Sequence, residues 1–494
     1  MGSGHVIVVG AGIGGLATAL SLANAGAGVT VVFPEAEVGG KMRVHRVGGH
    51  AIDAGPTVLT MRWVFEELFS AAGHDLADEV PMTALETLGR HLWPDGRRLD
   101  LYTNAERSED AIGVFAGSRA AKGFRRFVRD VGLVHQEVEE AFLRGPLPTP
   151  ATLIRSRGLR LPASLVRIDP VRSMWRALGG YFEDPALRQL FGRYATYVGG
   201  SPFQTPATYN LIFHIEQAGV WSVDGGMHAL ARGMRRVAEA KGVRFLGSSR
   251  VAEIVVERGR ARGVVLDSGE RLEADAVCSN AGSAALATGA LGSSVRHAAR
   301  AAKKRSLSAV TFSMSATTSG MPLDYHNVFF SPDYRHEFQQ LTRDRVCPDI
   351  PTTYVCARSR PGAPEGPEPL FCLTNAPARA DDRPLSQDTL DAAQARMLDH
   401  LAKCGLSVDR TSDPVEQASP KTFAQFSPGS GGAIYGGAPH GLLAPFARAS
   451  ARSRVRGLYL CGGDCHPGAG VPMVALSGRQ ASLAMLADGV ISSS

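Results

Sequence analysis

His5-Val6-Ile7-Val8-Val9-Gly10-Ala11-Gly12-Ile13-Gly14-Gly15-Leu16 is a short β-branched run that breaks into glycines and then takes up a helical pattern, with Leu16, Leu20 and Ala23 on one face. This reads as strand, turn, helix. The first glycine permits the turn, the second lets a pyrophosphate approach the backbone, and the third lets helix and strand pack closely while the helix N-terminus faces phosphate. Ala25 and Gly26 end the helix, and residues 29–33 supply a second strand at the distance a dinucleotide-binding unit requires. Gly10, Gly12, Ile13, Gly14 and Gly15 are therefore candidate cofactor contacts. An acidic residue normally closes the second strand to hold a ribose. Here Phe33 stands at that end, and Glu35 in Pro34-Glu35-Ala36-Glu37 is the nearest substitute.

The rest of the composition bounds what surrounds this unit. At 494 residues the chain exceeds what one hydrophobic core usually organises. Hydrophobic content of 44% and charged content of 20% suit a globular protein, and 56 glycines anticipate many close backbone approaches. No apolar stretch approaches the roughly 20 residues needed to span a bilayer, and Met1 to His5 carry no basic export signal. Seven scattered cysteines suit reduced thiols, so a cytoplasmic location is expected. Cys461 and Cys465 stand four apart without a second pair at ligand spacing, which argues against zinc, and no metal site is expected. A net charge of +6 over this length does not point to nucleic acid. Residues 151–176 concentrate Arg155, Arg157, Arg160, Arg167, Arg172 and Arg176 against the single acid Asp169, interleaved with apolar side chains. That mixture suits an anionic lipid surface, or equally a solvated basic face.

Four further motifs follow in order. Gly39-Gly40-Lys41-Met42 comes directly after the second strand, and Asp53-Ala54-Gly55-Pro56-Thr57 shortly after it. Val223-Asp224-Gly225-Gly226-Met227 opens an amphipathic helix, followed by strands that end at Asn280. Near the carboxyl end stands Cys461-Gly462-Gly463-Asp464-Cys465-His466-Pro467-Gly468-Ala469-Gly470-Val471-Pro472-Met473, leading into a last helix through residue 486. In this order the motifs resemble the flavoprotein superfamily of amine oxidases and carotenoid desaturases. The run from His466 to Pro472 closely resembles the carotenoid desaturases, and residues 193–206 and 431–437 look most like the hydroxycarotenoid 3,4-desaturases.

The resemblance implies an α/β fold: a Rossmann-like FAD-binding domain from residues 1–70, 220–285 and 415–494, with an inserted mixed α+β substrate domain from 71–219 and 286–414. It implies FAD as cofactor. Its contacts would include Gly39, Gly40, Lys41, Gly55, Pro56, Thr57, Val251, Asn280, Gly463, Asp464, Gly470, Val471, Pro472 and Met473. Lys41 would neutralise phosphate charge, Val251 would hold the adenine, and Asp464 would meet the ribityl chain. The implied substrate is an acyclic carotenoid reached from the inner face of a membrane, with oxygen or a quinone as electron acceptor. No catalytic side chain is required, because the flavin itself accepts hydride. His466 reads either as a catalytic side chain or as a histidine that satisfies backbone groups. Trp175, Tyr181, Phe182, Phe191, Tyr194, Tyr197, Phe213 and Trp221 are expected along the substrate tunnel. A phytoene-type desaturase, a carotenoid isomerase, an amine oxidase on the same flavin scaffold and, from another class, a non-catalytic prenyl-lipid-binding protein are the competing readings.

Overall fold

The computed structural model describes residues 4–149, 152, 155, 164, 167–360, 362, 366–411, 414–441 and 444–491. Residues 6–9 are buried, as a central parallel strand covered on both faces must be. His5–Val9 lies between Gly28–Val32 and Ala276–Ser279 in a five-stranded parallel sheet whose outer strands are Arg244–Leu246 and Leu458–Leu460. From the first strand the chain moves to one side through Gly28–Val32 and returns to the other through Ala276–Ser279. A crevice therefore opens beyond Val9 and Ser279, where ligands bind in open α/β sheets.

Three helices cover this sheet. Ile13–Asn24 packs on the last helix, Val471–Ala487, and on His228–Ala240. The first contact is close because Thr18 Oγ1 donates to the carbonyls of Gly14 and Gly478, at 2.8 and 3.2 Å. On the opposite face lies a three-stranded meander, Val251–Glu257, Arg260–Leu266 and Arg271–Glu273.

The second sheet has eight strands and is almost wholly antiparallel. Its backbone is Ser308–Gly320 paired with Glu368–Ala376, continued by Thr353–Ala357 and His326–Phe329. The strands Thr87–Leu92 and Arg98–Tyr102 extend it from far upstream. All five parallel strands fall in the three segments assigned to the nucleotide domain. The short strand Glu416–Ala418, inside the third of those segments, instead pairs with Thr311–Ser313 of the antiparallel sheet. Against one end of this sheet stands a helical layer with an aromatic core: Phe124, Phe127, Phe182, Phe191 and Phe213, with neighbouring ring centroids between 4.8 and 5.9 Å. Among the described residues no helix is long and apolar enough to cross a membrane. Of the arginine-rich stretch, Arg157, Arg160 and most of the interleaved apolar residues lie outside the described residues. Arg167 pairs with Glu137 at 2.8 Å, and Arg172 with Asp169 at 2.7 Å.

Candidate active site

A cavity of about 1200 Å³ begins at the crevice of the parallel sheet and runs to the antiparallel sheet. Gly10, Gly12 and Ile13 line its start. Gly14 and Gly15 do not; they face structure. A Cβ on Gly15 would lie 2.0 Å from the Gly10 carbonyl oxygen, so the glycine is what lets the first helix sit on its strand. The first helix has no side-chain cap at Gly12, and neither has the last helix at Gly470. The helices starting after Asn104, Ser173, Asp184 and Ser386 are each capped by those side chains. Two helix starts thus leave their N–H groups to the cavity, which suits an anion.

Between these ends stands Asn280. Its backbone N–H donates to the Val9 carbonyl at 2.8 Å, continuing the ladder, and its side chain faces Gly12, Gly14 and Gly462. Glu35, Val251, Gly39, Gly40, Gly55, Pro56, Thr57, Gly463, Asp464, Gly470 and Val471 all line the same cavity. Pro472 and Met473 do not; Pro472 is buried in the first turn of the helix, where its missing N–H costs no bond, and Met473 packs on the core beneath. Gly39 donates its N–H to Ala11 at 2.8 Å, so the double glycine runs alongside the first loop. Asp464 Oδ2 accepts from Ser283 N and Oγ, at 2.5 and 2.6 Å. Lys41 Nζ lies 3.5 Å from the Ile434 carbonyl. Burial holds its pKa below the ordinary lysine value, with Asp464 opposing the shift.

Two motifs far apart in sequence prove to be one device. Asp53 accepts from the backbone N–H of Met227 at 3.0 Å and of His228 at 3.4 Å, and so caps the helix His228–Ala240. Its own carboxyl is pushed up by burial, with those N–H groups and Arg358 pulling the other way. His228 Nε2 in turn meets the Val38 carbonyl at 2.8 Å, which fixes the loop before the double glycine. The acidic residue of the Asp53–Thr57 run is thus a positioning group behind the cavity wall.

His466 does not reach the cavity. It is buried, its Nε2 lies 3.2 Å from the Gly145 carbonyl, and burial pushes its pKa down to about 4. It satisfies backbone. Of the aromatics expected along a tunnel, Tyr197 alone lines the cavity. Phe182, Phe191, Tyr194 and Phe213 are core, Tyr181 bonds Asp130 at 2.9 Å, Trp175 packs on Phe203, and Trp221 joins the strand pair with Met82–Ala84. The cavity is walled instead by Tyr334, Tyr354, Phe371, Leu373, Phe426 and Tyr435, with Arg193 among them. Except for Arg193 and Tyr435, these residues sit in no motif: Tyr354, Phe371 and Leu373 stand on the strands Thr353–Ala357 and Glu368–Ala376, and Tyr334 and Phe426 on the short helices Tyr334–Gln339 and Pro420–Phe426. Tyr435 and Gly199 belong to the two desaturase-like stretches, which meet across residues 306–307: Leu307 N–H donates to Gly199, and Ser306 N–H to Gly436, both at 2.9 Å.

The family model for flavin containing amine oxidoreductases matches residues 13–486. The chain belongs to that family. It is 44% identical over 489 residues to a hydroxyneurosporene desaturase of Rubrivivax gelatinosus, covering 98% of this chain and 93% of the relative. It is 41% identical to a hydroxyneurosporene desaturase of Cereibacter sphaeroides, covering 98% and 97%. A solved oxidoreductase from Methanosarcina mazei has the same fold, with a TM-score of 0.59 at 16% identity over 98% of this chain and all of that one. The cofactor is FAD and the chain is an FAD-dependent oxidoreductase. Its residues fit that group: two uncapped helix starts face one cavity, Gly10, Gly12, Gly39 and Gly40 open the backbone between them, and carboxylates stand at Glu35 and Asp464.

Proposed function

We propose that this protein desaturates an acyclic carotenoid hydroxylated at C1, introducing the 3,4 double bond. The observation that carries the reading is the continuity of one cavity from the glycine loop to a wall of Phe371, Leu373, Phe426 and Tyr435. Its similarity to two desaturases named for hydroxyneurosporene points the same way.

When bound, FAD supplies the two-electron acceptor for an allylic hydride. The chain's own residues do the remaining work. Gly10, Gly12, Gly39 and Gly40 admit the pyrophosphate to the backbone, and Glu35 offers a carboxylate to ribose hydroxyls. Asp464, held by Ser283, meets the ribityl chain. The start of the last helix, at Val471, stabilises negative charge gathering at the end of the cofactor it faces. Phe371, Leu373 and Phe426 align the polyene and exclude water from the positive charge that hydride loss leaves on it, until loss of a proton from the neighbouring carbon to solvent completes the double bond. Arg300, Lys303 and Lys304 are exposed at the cavity rim, where they suit anionic headgroups. We therefore place the protein peripherally at the inner face of a membrane, with oxygen or a quinone as final acceptor.

The test is a spectrum of the purified protein, followed by anaerobic incubation with hydroxylated and unhydroxylated carotenoids in liposomes. Flavin bleaching with a red-shifted polyene for the hydroxylated carotenoid alone is the expected result. Isomerisation without net oxidation would replace the reading with an isomerase. Protein purified without flavin would move it to lipid binding.

A further inference from the structure

One stretch of the cavity wall is polar and extends beyond the nucleotide site, which it meets at Thr57. There the 3₁₀ segment Arg193–Val198 faces the antiparallel sheet, and Thr57, Arg193, Tyr197, Tyr334 and Tyr354 all border the cavity. Thr57 Oγ1 and Tyr354 Oη share a hydrogen bond of 2.7 Å, and Tyr354 Oη lies 2.7 Å from His326 Nδ1. Arg193 is stacked near the rings of Tyr197 and Tyr354. Among the described residues its one hydrogen bond is a long one, 3.4 Å from Nη1 to Tyr197 Oη. Tyr334 is 5% exposed and gripped edge-on by Phe330 and Phe338, and among the described residues its hydroxyl has no partner. A buried phenol and a guanidinium left this short of partners are costly unless a ligand supplies them.

The charge balance says what kind of ligand. Burial pushes the pKa of Glu216 up, with Tyr197, Tyr194 and Arg193 pulling the other way; its two carboxyl oxygens each accept from a phenol, Tyr194 Oη and Tyr197 Oη, both at 2.7 Å, which leaves neither free to carry a proton toward them. Its negative charge offsets Arg193 through Tyr197. A cluster already balanced suits a neutral group that both accepts and donates, which is what an alcohol offers. An anion would leave a charge uncompensated.

The position fits one alcohol in particular. In a carotenoid hydroxylated at C1, a single methylene separates the hydroxyl-bearing carbon from the C3–C4 bond. The group that reads the hydroxyl must then stand beside the reacting bond, not at a remote end of the cavity. Thr57 meets this condition, since it closes the Asp53–Thr57 run assigned to the cofactor. We propose that Arg193, Tyr334 and the Thr57–Tyr354 pair receive the substrate's terminal hydroxyl and select hydroxylated over unhydroxylated carotenoids. Arg193 donates to the alcohol oxygen and a phenol or the threonine accepts its proton. An unhydroxylated end would leave these groups buried and unpaired, which is how such sites reject an analogue.

This inference rests on the desaturase reading, and the experiment separates the two. Holo-protein is titrated in detergent micelles with a C1-hydroxylated acyclic carotenoid and with its parent hydrocarbon, and binding is read by quenching of tryptophan fluorescence. Wild-type protein is expected to prefer the hydroxylated compound. Tyr334→Phe removes an oxygen that has no partner, so the fold and bound flavin survive. In this variant the preference should fall about three- to ten-fold, through weaker binding of the hydroxylated compound alone. Arg193→Gln should lower it further. Equal binding of both carotenoids by wild-type protein would overturn the assignment. So would an unchanged preference in Tyr334→Phe, whatever Arg193→Gln does. Preferential binding without oxidation of either carotenoid would overturn the desaturase reading and leave the hydroxyl site standing.

Discussion

Where the glycine loop meets the cavity the wall is backbone, and where the antiparallel sheet meets it the wall is side chain. On the first side, closeness is achieved by removing atoms: the Gly55 position lies so near the Lys41 carbonyl oxygen that an added Cβ would stand 1.9 Å from it. On the second side, rings and hydroxyls fill the space and can be exchanged for others of similar volume. The same cavity is therefore intolerant at one end and adaptable at the other. That arrangement lets one cofactor scaffold serve many substrates.

The sharpest way to break this contrast is to change one side chain on each side. Gly55→Ala forces the Lys41 backbone away from the cavity, and holo-protein should be lost altogether, read as absence of flavin absorbance co-eluting with folded protein. Leu373→Met, at matched volume on the other wall, should retain flavin and change stability by less than about 1.5 kcal/mol. If Gly55→Ala kept its flavin, the backbone wall would be more pliant than its contacts imply.

The next largest effect separates wall from core. Phe191 touches Phe124, Phe127, Phe182 and Phe213 and does not reach the cavity. Phe191→Ala should cost about 3–5 kcal/mol of stability. The folded fraction should nonetheless keep the flavin spectrum and the carotenoid affinity of the parent. A selective loss of carotenoid binding at unchanged melting temperature would put the ring back on the substrate path.

These aromatics show where the sequence is legible. The glycine motifs were readable because each acts within a few residues, on a turn or a helix start. Phe182, Phe191 and Phe213 were not, because a ring at helical spacing looks the same whether its neighbours are other rings or a ligand; here Phe124 and Phe127, far upstream in the sequence, decide it. Asp53 is a similar case. Its partners, the N–H groups of Met227 and His228, lie across a strand crossing that no local pattern announces. Tyr334 and Tyr354 became visible only when the antiparallel sheet brought residues 87–102 against 326–357.

Acid should weaken the side-chain half first. His91 and His326 are buried in the antiparallel sheet, and burial pushes each pKa down to about 3. A base depressed on folding contributes stability that is complete above its unfolded pKa near 6.5 and is lost as pH falls toward 3. Each should cost about 2 kcal/mol on going from pH 7 to pH 5. Glu337, raised to about 7 by burial, has the opposite sign. Its penalty is full above pH 7 and is relieved by about 2 kcal/mol over the same interval. The net expectation is a falling melting temperature from pH 7 to pH 5, made shallower by His326→Gln and steeper by Glu337→Gln. A flat profile in all three proteins would contradict the buried neutral histidines.

The smallest effect tests a place where the backbone side relies on a side chain. Glu35 holds Ser248 through its backbone carbonyl, 2.9 Å from that N–H, so the residue is fixed at the strand end. Among the described residues its carboxylate makes no hydrogen bond, and it borders the cavity with Val32, Pro34, Val251 and Ala252. A carboxylate pinned there with both oxygens free can accept from the two ribose hydroxyls, doing from the loop what an acid at the position of Phe33 would do from the strand. Glu35→Gln keeps the size, removes the charge, and turns one acceptor into a donor. The Kd for FAD, measured by reconstitution of apoprotein, should rise about ten-fold, since a hydrogen bond to a charged group is worth about 1.5–3 kcal/mol when buried and less at this half-exposed site. An unchanged Kd would mean that water, not ribose, takes those oxygens. The ribose end of the cavity would then rest on backbone, and Asp464 would be the carboxylate left to the cofactor.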